Sequence, residues 1–244
     1  HDVAIGANAG QLISTGNENV AIGRLAMGAS VTGNWNNAVG NQSLQNLTSG
    51  NSNQSYGFSA LGNITTGSQN LGFGDAVFNS IAGNSSSNIG IGYHAGREIT
   101  STLTSDLFIG SSIGDTFAAA YAFGNNNVLI GASALKWSFG TNVQNNVVVG
   151  YQAGLGANTS NSDQGLTLSG YQSGFSIATS SDYNTFYGYQ SGYDVSAGND
   201  NILLGAELNT GGSHLTTGAN NICIGFNCIL PGGTSASNQL NIGN

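Results

Sequence analysis

The chain has 244 residues, of which 6% are charged and 39% hydrophobic, and a formal net charge of −8. Its permanent cations, Arg24, Arg97 and Lys136, are too few to form a basic stripe, which argues against nucleic acid as a partner. No apolar run approaches the ~20 residues of a spanning helix, so membrane insertion is not expected.

Low charge alone would permit disorder, but the apolar residues recur at fixed places, which predicts a folded chain. A five-residue phrase, an Asn followed by three small or apolar residues and a Gly, returns from end to end. It reads Asn19-Val-Ala-Ile-Gly23, Asn88-Ile-Gly-Ile-Gly92, Asn127-Val-Leu-Ile-Gly131, Asn146-Val-Val-Val-Gly150, Asn201-Ile-Leu-Leu-Gly205 and Asn221-Ile-Cys-Ile-Gly225. The phrase glycines are Gly6, Gly23, Gly40, Gly57, Gly74, Gly92, Gly110, Gly131, Gly150, Gly170, Gly188, Gly205, Gly225 and Gly243, spaced 17 to 21 residues apart. A period this short and unbroken predicts an all-β chain. The fold is a parallel β-roll or β-solenoid of about 13 coils, one repeat domain over residues 1–244. The chain opens at His1-Asp-Val-Ala-Ile-Gly6, already inside a phrase, so a mature or excised segment is expected.

With the phrase Gly as position 0, position −4 is Asn or Asp in 12 of the 14 phrases. The Asn members are Asn19, Asn36, Asn53, Asn70, Asn88, Asn127, Asn146, Asn184, Asn201 and Asn221. Stacked coils would set these side chains above one another at about 4.8 Å, where amides can bond along the axis as a structural ladder. Positions −3 and −1 are usually apolar and read as a short strand with one buried face. Position +3 is commonly Ala or Ser, position +4 is Gly or a bulky apolar residue, and a turn rich in Thr, Ser, Gly and Asn follows. Each coil is therefore expected to hold two short strands and two turns.

Position −2 is small in the early coils (Ala4, Ala21, Ala38, Ser55, Gly72, Gly90) and large in later ones. Phe108, Leu129, Val148, Phe186 and Leu203 are read as an outward stripe through which copies of the chain associate. Coil 150–170 is expected to be out of register, because Leu166 and Leu168 precede Gly170 by four and two, which would turn both to the wrong face unless a bulge absorbs the step.

No catalytic constellation stands out, and no enzyme, cofactor or metal site is expected. His1, His94 and His214 lie in different coils. Asp163, Asp182, Asp194, Asp200 and Glu207 cluster loosely in the C-terminal half, but Asp182, Asp194 and Asp200 sit in turn stretches, which gives little support to a carboxylate-pair glycosidase. Phe117, Tyr121 and Trp137 fall in longer repeats and are the candidates for surface recognition, of a cell-surface receptor or a glycan. Tyr151, Tyr171 and Tyr189 share position +1 and are expected to stack. Cys223 and Cys228 flank Gly225, either as two small buried residues or as a disulfide within one coil. Thr15, Thr32, Thr48 and Thr66 lie near one turn, but the array lapses in later coils, which disfavours an ice-binding face.

The phrase at Asn19–Gly23, the Tyr-Gln-Ala/Ser-Gly steps at Tyr151, Tyr171 and Tyr189, and the Thr-Thr-Gly turns at Gly67 and Gly218 carry a resemblance. Nearly the whole chain is similar to the head repeats of trimeric autotransporter adhesins and to phage tail-fibre shafts, although adhesin heads usually repeat at a shorter interval. The resemblance implies a left-handed parallel β-roll in which three chains pack side by side. It also implies a non-enzymatic extracellular shaft or head, on a cell surface or a virion appendage, that reaches and binds surfaces. Its partner is then chiefly itself. A subunit of an open self-assembling filament is the alternative, and the two differ only in how the symmetry closes.

Overall fold

The computed structural model describes residues 1–114, 123–136, 143–156, 164–178, 181–206, 215–230 and 232–243. The chain is an all-β parallel solenoid and forms two compact units, His1–Asn125 and Asn126–Asn244. The first holds β1 (Val3–Ile5), β2 (Val20–Ile22), β3 (Asn37–Val39), β4 (Gln54–Tyr56), β5 (Leu71–Phe73), β6 (Ile89–Ile91) and β7 (Leu107–Ile109). The second holds β8 (Val128–Ile130), β9 (Val147–Val149), β10 (Thr167–Ser169), β11 (Thr185–Tyr187), β12 (Ile202–Leu204), β13 (Ile222–Ile224) and β14 (Leu240–Ile242). Within each unit successive strands pair in parallel, in chain order. The phrase register is conserved throughout: Val3 faces Val20, Ala21 faces Ala38, Val147 faces Val128 and Ile222 faces Ile202. The only helical element among the described residues is a 3₁₀ turn, Gly233–Ser235.

Among the described residues each coil carries one three-residue strand, not two. The reason lies in the backbone after the phrase Gly. Positions +2 and +4 take left-handed φ even where they are not Gly, as at Leu25 (59°), Met27 (47°), Gln42 (62°), Leu44 (48°), Ser59 (51°) and Leu61 (52°). That conformation cannot continue a strand. The chain therefore runs through two consecutive turns, closed by Ala26 N–H to Gly23 C=O (3.2 Å) and Leu47 N–H to Leu44 C=O (3.1 Å). The backbone groups freed by these turns bond the next coil, as in Leu44 N–H to Ala60 C=O at 3.1 Å. Backbone satisfaction is thus carried along the axis with little regular strand.

The phrase glycines have φ between +125° and +143° from Gly6 to Gly225, where L side chains are strained. They also stack directly. A Cβ on Gly74 would lie 2.6 Å from the carbonyl oxygen of Gly92, and one on Gly6 2.8 Å from the carbonyl carbon of Gly23.

The core inverts the face assignment expected from the sequence. Ala21, Ala38, Ser55, Phe108, Leu129, Val148, Leu168, Phe186 and Leu203, all at position −2, are buried inside their own coils. Phe108, Leu129, Val148, Phe186 and Leu203 are therefore interior residues and not an outward association stripe. In most coils the change from small to large at −2 goes with volume exchange with position +4, although Leu129 with Leu135 is large at both slots and Ala4 with Gly10 small at both. Where −2 is Ala21, Ala38, Ser55 or Gly72, position +4 is Met27, Leu44, Leu61 or Phe78, all buried. Where −2 is Phe108, Val148, Leu168 or Phe186, position +4 is Gly114, Gly154, Gly174 or Gly192. The glycines leave the room that the large side chains fill: a Cβ on Gly154 would approach Leu168 Cδ1 to 3.0 Å, and one on Gly114 would approach Phe108 Cε2 to 3.3 Å. One coil has Gly at both slots, Gly90 and Gly96. Phe78 and Phe108 lean across it from either side, their rings 5.3 Å apart. A further column, Ile13, Leu47, Ile64, Ile81, Ile99, Ile177 and Val195, follows the second turn and, apart from half-buried Ile13, is fully buried. Close packing is what a narrow coil interior demands.

The expected slip in coil 150–170 does not occur. Thr167, Leu168 and Ser169 pair in step with Val147, Val148 and Val149 on one side and with Thr185, Phe186 and Tyr187 on the other. Leu166 and Leu168 are both buried. Positions −4 and −2 share the inward parity, so both leucines already face the core and no bulge is needed.

Candidate functional site

The repeated Asn at −4 builds a buried ladder on the inward side of the strand. Asn36 donates to Asn19 Oδ1 through its backbone N–H (3.0 Å) and its Nδ2 (3.1 Å). Its Nδ2 also donates to the Gly50 carbonyl at 2.9 Å. Asn53, Asn70 and Asn88 repeat this pattern on Asn36, Asn53 and Asn70. In the second unit Asn146 does the same to Asn127, Asn201 to Asn184 and Asn221 to Asn201. Each amide thus ties the strand of one coil to its neighbour and to the turn that closes the next coil. Leu166 takes the Asn slot between Asn146 and Asn184, and its backbone N–H still donates to Asn146 Oδ1 at 2.9 Å.

A second, partly exposed ladder lies at position −6, which the sequence reading did not single out. Asn17 N–H donates to Asn34 Oδ1 and Asn34 N–H to Asn51 Oδ1, both at 2.8 Å. Its signal was visible in the Thr/Ser-Gly-Asn turns.

Asn53→Ala is expected to destabilise the first unit by at least about 2 kcal/mol, because Asn70 loses its acceptor while the Asn36 oxygen and the Gly67 carbonyl lose a donor inside the coil. Urea denaturation followed by circular dichroism measures it. A midpoint unchanged from the parent would show the ladder to be energetically idle.

The outward side of the strands carries positions −3 and −1, which the sequence reading placed in the core. Exposed apolar residues there are Val3, Ile5, Phe73 and Ile89 in the first unit, and Val147, Tyr187, Ile202, Leu240 and Ile242 in the second. Tyr56 and Phe73 pack in this column with centroids 5.9 Å apart.

A third column follows the phrase Gly at position +1. Tyr171 stacks on Tyr151 at 5.5 Å and 15°, and on Tyr189 at 5.3 Å and 8°. Beside it runs a row of amides: Gln172 Nε2 donates to Gln152 Oε1, and Gln190 Nε2 to Gln172 Oε1, both at 2.9 Å. Phe175 and Tyr193 stack nearby at 4.7 Å.

Cys223 and Cys228 form a disulfide. They occupy the inward slots −2 and +3 of one coil and are both buried, so the bridge fills space that Ala and Ser fill in other coils. Phe117, Tyr121 and Trp137 lie outside the described residues, as do His214, Asp163 and Glu207. His94 stacks on Tyr93 at 3.6 Å, with Arg97 Nη1 3.4 Å from its Nε2. Asp182 is engaged in the outer ladder, accepting from Gln164 N–H at 3.0 Å and donating its own N–H to Asn199 Oδ1 at 2.9 Å. Among the described residues no group of three or more His, Cys, Asp or Glu side chains is placed to hold a metal ion, and no helix is long and apolar enough to cross a membrane.

Comparison of the chain with protein-family models, with curated proteins and with solved structures finds no match.

Proposed function

We propose that this chain is a non-enzymatic, extracellular fibrous protein, the shaft or head of a homotrimeric fibre that reaches and binds surfaces. The observation that carries the reading is the outward apolar column. A strand whose inward residues already fill the coil has no use within its own chain for Phe73, Ile89, Tyr187 or Ile202 on the other side. Exposed apolar residues repeated along one side of a fold mark a site of association, and an identical chain carries the matching repeat. Covering one such side chain is worth about 1.5–3 kcal/mol, so several per chain suffice for a stable assembly. The buried disulfide suits an oxidising, extracellular setting. The repeat phrases resemble those of trimeric adhesin heads and tail-fibre shafts, and a fibre of this kind gains affinity from many weak contacts presented together.

Light scattering after size exclusion tests the reading. The parent is expected to run with the mass of a trimer. The double variant Phe73→Asp/Ile89→Asp is expected to run as a single chain with an unchanged circular dichroism spectrum, since both residues lie on the solvent side of the coil. A polydisperse parent of high mass would favour the open filament instead. A parent that is a well-folded monomer would end both readings.

A further inference from the structure

The Tyr and Gln columns of the second unit form an uncharged, periodic strip that the solenoid does not need for its own folding. Position +1 is held in the first five coils by Ala7, Arg24, Asn41, Phe58 and Asp75, with the same left-handed turn at +2. The coil therefore closes with any side chain there. Three successive coils nevertheless carry Tyr-Gln at +1 and +2, and the tyrosines remain exposed, at 48%, 43% and 48% for Tyr151, Tyr171 and Tyr189.

The geometry decides what such a strip can hold. Because the rings stack nearly parallel, the faces between them are covered and their edges point outward. Ring edges carry the positive side of the aromatic quadrupole, and each edge ends in a phenol hydroxyl. Among the described residues no protein group takes these three hydroxyls. The Gln amides spend one donor and one acceptor on each other, and each carboxamide has a further N–H and a further lone pair. The strip thus offers hydroxyls, amides and positive C–H edges once per coil, the ring centroids 5.3 to 5.5 Å apart on coils that stack at about 4.8 Å. An extended peptide presents same-side groups every two residues, about 6.6 Å apart, and falls out of step after one rung. Tyr151, Gln152, Tyr171, Gln172, Tyr189 and Gln190 include no charged group, which gives an anionic polymer nothing to pair with. A neutral polymer whose hydroxyl-bearing units advance by nearly this step is an extended chain of equatorially linked pyranoses.

We infer that the Tyr151–Tyr171–Tyr189 and Gln152–Gln172–Gln190 columns bind an extended, neutral polysaccharide lying parallel to the stacking direction, one sugar per rung. This deepens the surface-binding reading by naming its ligand class. The strip belongs to one chain, so it does not depend on trimer formation.

Calorimetry and saturation-transfer NMR with cellohexaose and chitohexaose test it on the full chain, with maltohexaose, a curved chain, for comparison. At least one extended hexamer is expected to bind, and its dimer to bind at least about tenfold more weakly, because each rung adds a hydrogen bond or two. Tyr171→Ser and Gln172→Leu are each expected to weaken the hexamer about tenfold, since each removes the middle rung of one column. Gln172→Leu leaves the stacked rings in place, so it also covers the case in which Tyr171→Ser disturbs the fold. Binding is expected to survive in the Phe73→Asp/Ile89→Asp variant, whatever that variant's mass, which separates this strip from the association face. Failure of both extended hexamers to bind at millimolar concentration, equal binding of maltohexaose, or indifference to both strip variants would each overturn the proposal.

Discussion

Leu129→Asp/Val148→Asp is expected to unfold the coils around β8 and β9, and not to release intact chains from an assembly. Leu129 and Val148 face each other across neighbouring strands, and both are fully buried within the coil. A Cβ at Gly154 would touch Leu168 at 3.0 Å, Leu135 at 3.4 Å and Val148 at 3.8 Å, so the site is lined by aliphatic groups. Each substitution gives up roughly 1.5–3 kcal/mol of burial. It also places a carboxylate where it has no cation, which costs several kcal/mol more or forces protonation. Together these terms rival the roughly 5–15 kcal/mol that holds a domain. Because coils interact chiefly with their neighbours, the loss should be read as melting of the coils around the lesion. Thermal denaturation by circular dichroism, with light scattering on the same sample, distinguishes the outcomes. A variant that keeps the parent's melting curve but loses mass would return position −2 to the surface and contradict the observed packing.

The difference between this variant and the outward pair, Phe73→Asp/Ile89→Asp, shows what was legible in the sequence. The period, the parallel stacking and the place of the phrase Gly follow from spacing alone, because a coil of 17 to 21 residues has few ways to close. The polarity of the strand did not follow. In a three-residue strand such as Val128–Ile130 every position is apolar, so alternation says that −3 and −1 share a face and −2 does not, but not which face is inside. The missing sign was available in the Asn column. A side chain that repeats at −4 to bond along the axis is best protected from water inside the coil, and −4 and −2 have the same parity. Leu166 and Leu168 carry the same message, since a coil that replaces the ladder Asn by Leu at −4 is declaring that slot to be core. The exchange of volume between −2 and +4, as in Gly72 with Phe78 against Phe186 with Gly192, was also present in the sequence. It becomes readable only once both slots are known to meet in one interior. The second strand expected in each coil was lost for a backbone reason. Leu25, Met27, Leu44 and Leu61 take left-handed φ, and nothing in their side chains announces it. The Tyr ladder, by contrast, was legible from spacing, and its stacking needs only that position +1 repeat in step.

Gly74→Ala is expected to cost at least about 3 kcal/mol, although it adds a single methyl group whose nearest contacts are backbone atoms. Two effects combine. Gly74 sits at φ +131°, where an L residue is strained by about 1–3 kcal/mol. The added Cβ would also lie 2.6 Å from the Gly92 carbonyl oxygen and 2.9 Å from its carbonyl carbon. Those atoms are backbone of the next coil and cannot rotate away, so relief requires the two coils to part. Parting them weakens the bonds that join them here, Gly92 N–H to Phe73 C=O at 2.9 Å and His94 N–H to Asp75 C=O at 3.0 Å. Gly28→Ala is the matched control. Its added Cβ would meet the Leu25 carbonyl at 3.3 Å and otherwise only ordinary contacts from 3.6 Å outward, so it should cost under about 1 kcal/mol. Urea midpoints for the two variants and the parent give the comparison. If Gly74→Ala is no less stable than Gly28→Ala, the stacked glycine column is a consequence of the coil and not a condition for it.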